Sequence, residues 1–439
     1  MTRFGRSSIG LMVLFLAGCG WLQAGFDAGR AGVNDFEHKI NVGNVALLTH
    51  RTIPTQVDGD HPAEIIVGSH LVGVHNGHLA AYDAGKCPTP SSAACTPIWE
   101  TPTIPPIQIA SDGGAIFATG PGPVSHDNTL YATDSGGTPT WSAEFPYLQG
   151  TDNPYLDGLA VAGGHTVFGI GNLHHGTSYR DRSIHVFATQ GCGAASCQPL
   201  HTIQTLGTAN IAADAHRVYA LVSASENGTP TTRVEAFDLD TGARVWESAW
   251  NVVTDSVIPP SASLVIRGTR LYAQIAAYNA NPAHDDVYDL AATCPGTPAM
   301  CTSTGTFGDS VAAVTQTVTV TTAADGRLLW YDTSSQTCAG VPTPCVPFAS
   351  TAANAAPSGV WAIANGVMIA VRGAQLLAFD EHGAVGCSGA PKICAPLFTF
   401  DLGTNASTMN VSVWDGRLYA RTRNFTTAVD TEHVFVAPS

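Results

Sequence analysis

The stretch Arg233–Trp246, RVEAFDLDTGARVW, decides how this chain folds. Val234 and Ala236 alternate with longer side chains, and Phe237-Asp238 closes the run. Asp240-Thr241-Gly242 supplies a tight turn, after which a second strand ends on Trp246. Two-residue alternation on either side of an Asp/Gly turn is the pattern of a β-hairpin.

The unit recurs along the chain. LAAYDAG carries Tyr82-Asp83, with a second strand ending on Trp99, and LYATDSGGTPTW carries Asp134 and ends on Trp141. IHVFATQG carries Phe187 without the aspartate. VYDL, LLWYDTS and LLAFDEHG carry Asp289, Asp332 and Asp380, and a truncated last copy, HVFV, carries Phe435. The anchors recur about fifty residues apart. A further apolar hairpin precedes most of them, as in AADAHRVYALV and VWDGRLYAR, so each unit reads as four strands. This period predicts an all-β chain folded as a β-propeller of four-stranded antiparallel blades. Eight blades are expected, or seven if the Ile184 or His433 copies form none. The segment NVALLTHRTIPT is expected to complete the last blade, joining the two ends of the chain and hiding open sheet edges.

The repeat resembles that of the pyrroloquinoline-quinone (PQQ)-like β-propellers, Ala-x-Asp-x-x-Thr-Gly-x-x-x-Trp, matched at Ala236, Asp238, Thr241, Gly242 and Trp246. The resemblance implies that Trp99, Trp141 and Trp246 dock on neighbouring blades. It assigns Gly242 and the aspartates Asp83, Asp134, Asp238, Asp289, Asp332 and Asp380 to the same blade-docking turns. It also makes PQQ with calcium in a central funnel the first cofactor to test. The adjacent-cysteine disulfide of the quinoprotein dehydrogenases and the Cys-x-x-Cys-His of covalent haem are both missing from this sequence. No resident cofactor or catalytic residue is therefore expected, with a degenerate quinoprotein-type oxidoreductase as the alternative.

The N-terminus reads as an export signal. Arg3 and Arg6 precede the apolar run Ile9–Ala17, which is too short to span a bilayer. Leu16-Ala17-Gly18-Cys19 follows and resembles the lipobox of bacterial lipoproteins, which implies cleavage before Cys19 and a lipid on its thiol. The expected organisation is a signal peptide over 1–18, a lipidated flexible tether over 19–40, and the propeller over 41–439. Cysteine parity agrees. Of eleven cysteines, Cys19 stands apart, and the others form the close couples Cys87/Cys95, Cys192/Cys197, Cys294/Cys301, Cys338/Cys345 and Cys387/Cys394. In an exported chain such couples read as local disulfides. Each is expected between the third and fourth strands of its blade. Zinc is disfavoured by the wide spacing and the absence of histidine in register, so no metal is expected.

Candidate chemistry is sparse. His165, His174, His175 and His185 share one unit, with Asp181 as the nearby carboxylate, and read as a polar surface loop. His284-Asp285-Asp286 offers paired carboxylates to a cation but reads as a solvated hairpin tip. No Gly-x-Ser-x-Gly elbow or Walker loop is present. The net charge of −15 argues against nucleic acid as a partner.

The expected function is a membrane-anchored, extracytoplasmic, non-enzymatic scaffold. It would bind a protein or glycan partner as a monomer, in the outer or plasma membrane according to the host. The design is similar to the propeller lipoproteins of the outer-membrane assembly machinery. A structural or sensory ectodomain is the remaining alternative.

Overall fold

The computed structural model describes residues 33–54, 64–86, 96–121, 128–145, 155–173, 180–206, 210–226, 229–252, 264–275, 284–297, 299–332, 346–352, 359–404, 406–424, 426–427 and 429–438. They form eight antiparallel sheets built on four strands each, arranged as an eight-bladed β-propeller. Blade 4 is representative: Asn210–Ala213 innermost, then Arg217–Glu226, Thr229–Asp238 and Arg244–Ser248 outermost. The unit RVEAFDLDTGARVW is thus the outer hairpin of a blade. The copies around Ile184 and His433 are third strands of blades 3 and 8, which excludes the seven-bladed count.

The ring closes as the sequence predicts. Blade 8 takes Ala406–Trp414, Arg417–Asn424 and Val429–Val436 from the C-terminus and Thr49–Pro54 from the N-terminus. Thr49 pairs with Val436 and Pro54 with Thr431. Only part of NVALLTHRTIPT serves this purpose, since Val45–Leu47 is a short 3-10 turn.

Each blade lies between two others, so both of its surfaces are buried. In blade 4, Val234 and Ala236 face blade 5 and pack with Leu264, Leu271 and Tyr288. Phe237 faces blade 3 and packs with Ile184 and Ile203. Similar clusters join the other blades, and full burial of such a side chain contributes about 1.5–3 kcal/mol.

Two expectations change. The tether was expected to run to residue 40, yet Val33, Glu37 and Ile40 are buried. Val33–Asn34 adds a parallel strand to the inner edge of blade 7, opposite Ile363 and Ala364. Asn34 Nδ2 donates to Val413 O, and Glu37 accepts from the Gly416 amide. The folded body therefore includes residues 33–40, because their backbone groups find partners on blades 7 and 8. His284-Asp285-Asp286 is not a hairpin tip but the start of the third strand of blade 5, with both aspartates buried. A strand held between two blades buries both of its surfaces, polar positions included.

Candidate functional site

Antiparallel topology sends the connections of each blade to two opposite ends of the ring. The first-to-second and third-to-fourth turns share one end, here the stapled face. The second-to-third turns and the links between blades share the other, the connection face. Cys192–Cys197, Cys294–Cys301 and Cys387–Cys394 are disulfides, each between the third and fourth strands of its blade on the stapled face. Cys19, Cys87, Cys95, Cys338 and Cys345 lie outside the described residues.

The stapled loops reach further than the sequence suggests. Ala299–Cys301 of blade 5 pairs in parallel with Trp246–Ser248, the outer strand of blade 4. Lys392–Cys394 of blade 7 pairs the same way with Ala349–Thr351 of blade 6. The blade 3 loop repeats the contact in miniature: Ser142 of blade 2 donates to Ala195 O and accepts from the Cys197 amide. Each disulfide thus shapes a loop that covers the outer edge of the preceding blade.

Tight turns do the same work with side chains. In blade 2, a Cβ on Gly137 would sit 2.5 Å from the Trp99 ring of blade 1, and Trp99 Nε1 donates to Ser135 O at 3.1 Å. Trp141 lies against Gly191 of blade 3, and Trp246 against Tyr288 of blade 5. Gly242 lets its turn approach His201 of blade 3, whose Nε2 bonds Asp240 O at 2.6 Å. The aspartates act within their own turns instead. Asp83 accepts from Gly85 and Lys86, Asp134 from Gly136 and Thr138, Asp238 from Thr241, Asp289 from Ala291, and Asp380 from His382, Ala384 and Val385. Hydrogen bonds from Thr241 hold the Asp238 carboxyl below the ordinary carboxylate range. Asp332 ends the third strand of blade 6.

Several buried charges are tied up between blades. Arg421 of blade 8 pairs with Glu64 ahead of blade 1 at 2.8 Å. Asp285 accepts from the Val311 amide of blade 6, and burial pushes its pKa up to about 7. Asp286 points to the opposite surface of the same strand and accepts from Asn251 Nδ2 of blade 4. The two carboxylates therefore do not converge on one cation. His165 and Asp181 lie at opposite ends of blade 3, and His185 is buried between Ser183 and Thr202, with its pKa lowered by burial to about 4. His174 and His175 fall outside the described residues. Among those described, no three His, Cys, Asp or Glu side chains come together as metal ligands.

The candidate site is a polar cavity of about 400 Å³ on the stapled face, between the first hairpins of blades 5 and 6. Arg267, Thr269 and Arg270 line it from blade 5, and Thr315 and Gln316 from blade 6. Asp35 reaches it from the N-terminal arm, and Arg267 Nη2 donates to Asp35 Oδ2 at 2.5 Å. The arm therefore bridges blades 5, 7 and 8 across this face. The sequence carried no signal for the site, because its parts lie in three distant segments. Chemically it offers guanidinium, hydroxyl and amide groups for holding an anion and, among the described residues, no nucleophile–base pair.

No protein-family model matches the chain, and no curated protein matches it. Among solved structures it is similar to Kluyveromyces lactis Hsv2, at 8% identity over 85% of this chain and 95% of that one, with a TM-score of 0.38. It is also similar to the β-propeller domain of the Trilobed protease from Pyrococcus furiosus, described as having an open velcro topology (8%, 87% and 93%, 0.36). Pyrococcus horikoshii acylaminoacyl peptidase is similar at 10% identity over 70% of this chain, which spans about half of that chain (47%), with a TM-score of 0.37. These similarities carry no argument about function.

Proposed function

We propose that this chain is an extracytoplasmic propeller, anchored in a membrane through a lipid on Cys19, that serves as a non-enzymatic scaffold for a protein or glycan partner. The observation that carries the reading is the asymmetry of the two faces. The N-terminal arm, residues 33–40, covers the stapled face, where Val33–Asn34 meets blade 7 and Asp35 meets Arg267. The connection face is the opposite end of the ring, marked among the described residues by second-to-third turns such as Asn76-Gly77. Loops on a rigid scaffold are the usual carriers of recognition. Three disulfides are consistent with an oxidising compartment, and no helix among the described residues is long and apolar enough to cross a membrane.

The test has two arms. Metabolic labelling with a clickable palmitate analogue should mark the full chain and not Cys19→Ser; equal labelling overturns the anchor. A photo-crosslinking residue at Asn76, on the connection face, should give a discrete adduct in intact cells, whereas one at Thr241, on the stapled face, should not. An adduct confined to Thr241 overturns the assignment of the binding face, and none from either overturns the scaffold.

A further inference from the structure

Three hairpins of the ring close on the same kind of two-residue turn. Asn76-Gly77, Asn365-Gly366 and Asp415-Gly416 each sit between directly paired residues, with φ of 51° and 80°, 47° and 79°, and 48° and 77°. This is the type I′ geometry that Asn-Gly and Asp-Gly favour. Two of the three lie under the N-terminal arm. Asn365 Nδ2 donates to His38 O and Ile40 O, and Glu37 accepts from the Gly416 amide. A Cβ on Gly416 would meet Lys39 at 3.1 Å. Asn76-Gly77 stands at the other end of the ring, on the connection face, where a Cβ on Gly77 would meet no described atom within 4 Å. The Asn76 carboxamide nitrogen lies 3.0 Å from His75 Nδ1, which in turn lies 2.9 Å from Glu100 Oε2.

We propose that Asn76 is a self-modifying site: it deamidates through attack by the Gly77 amide with His75 as the acid, while the arm holds Asn365 back. The Gly77 nitrogen loses its proton to hydroxide and bonds to the carboxamide carbon of Asn76. The bond from that carbon to the amide nitrogen breaks, and ammonia leaves with a proton from His75 Nδ1, which water restores. Water then opens the succinimide to aspartate or isoaspartate. Glycine suits the attack because it has no Cβ to crowd the ring being formed. His75 touches the reacting amide, whereas Glu100 is a positioning residue: a carboxylate beside Nδ1 keeps the proton on that nitrogen. The turn has to open first, and the tip of a hairpin opens more readily than the strands behind it. At Asn365, opening must also break two hydrogen bonds to the arm. The product adds a carboxylate to the connection face near Glu100, and isoaspartate lengthens the turn backbone by a methylene. The reaction needs neither the lipid nor a partner at that face.

The purified full chain, held in warm, mildly alkaline buffer, is followed by peptide mass spectrometry at both Asn-Gly turns. Asn76 should convert roughly tenfold faster than Asn365 in the folded chain. In guanidinium chloride the two rates should come within about twofold of each other, because local opening no longer separates them. His75→Gln should slow Asn76 by roughly tenfold and leave Asn365 unchanged, whereas a general loosening of the fold would speed both. If His75→Gln fails to fold, Glu100→Gln should show the same selective slowing. Equal rates in the folded chain, or a difference that persists in guanidinium chloride, overturn the site. An unchanged Asn76 rate in the folded variant overturns the acid role of His75.

Discussion

Blades 4 and 5 solve one problem with different chemistry. The outer edge of every propeller blade carries unpaired backbone groups, and an uncovered edge invites pairing with another chain. Blade 5 covers its predecessor with backbone: the loop shaped by Cys294–Cys301 lays Ala299–Cys301 beside Trp246–Ser248. Blade 4 covers blade 3 with a tight turn, where Gly242 admits His201 and the Asp240 carbonyl takes its ring nitrogen. A long loop needs a covalent staple because closing it costs entropy, whereas a short turn capped by Asp238 is already ordered. The absence of cysteines from blades 2 and 4 thus marks a second seam type and not a weaker one.

The closing blade joins the two ends of the chain through a pair of histidines and should lose stability in acid. His50, from the N-terminal strand, and His433, from the last C-terminal strand, meet at 3.0 Å, and Thr422 bonds the other ring nitrogen of His433. Arg421 and Glu432 point to the opposite surface of the blade, away from the imidazole pair. Burial, and then His50, lower the His433 pKa from 6.5 to about 4. The unfolded chain therefore takes up the proton first. The stabilisation is complete above pH 6.5 and is lost as the pH falls to about 4, by about 3 kcal/mol. Urea unfolding of the chain and of His433→Leu at pH 7.5 and 4.5 checks this. The variant should lose less stability between the two, and identical losses would falsify the assignment.

Breaking a stapled seam should come next. Replacing Cys294 and Cys301 together by serine should destabilise the fold by about 2.5 kcal/mol from loop entropy. Amide exchange of Met300 and Cys301 (serine in the variant) should accelerate with it, because the strand they form loses its constraint. Exchange that stays slow at both positions would show that the added strand does not need the staple.

The turn-docked seam should respond least. Gly137→Ala puts a Cβ into the Trp99 ring at a φ of +82°, at a cost of about 2 kcal/mol. A shift in Trp99 fluorescence should accompany the loss. A stability loss with unchanged fluorescence would place the strain in the turn backbone and not in the docking.

Much of this architecture was legible because hairpins are local. Arg233–Trp246 holds its own period, turn and docking tryptophan, and close cysteine couples need little geometry beyond their spacing. The aspartates were legible as turn residues too, although their partners proved to lie within the turn. His284-Asp285-Asp286 was misread because alternation reports which residues share a surface of a strand, not whether another blade covers that surface. Asp285 meets Val311 and Asp286 meets Asn251 only when blades 4, 5 and 6 stand side by side. The cavity at Arg267 was illegible for the same reason, since Asp35, the blade 5 turn and the blade 6 turn share no local pattern.

The sequence by itself determined the four-stranded unit, its recurrence and the closure by an N-terminal strand, because these follow from period and turn chemistry within a few dozen residues. Tertiary structure decided which blade each stapled loop covers, where the arm of residues 33–40 lies, and which charges are buried. Those depend on surfaces that come together only when the ring closes.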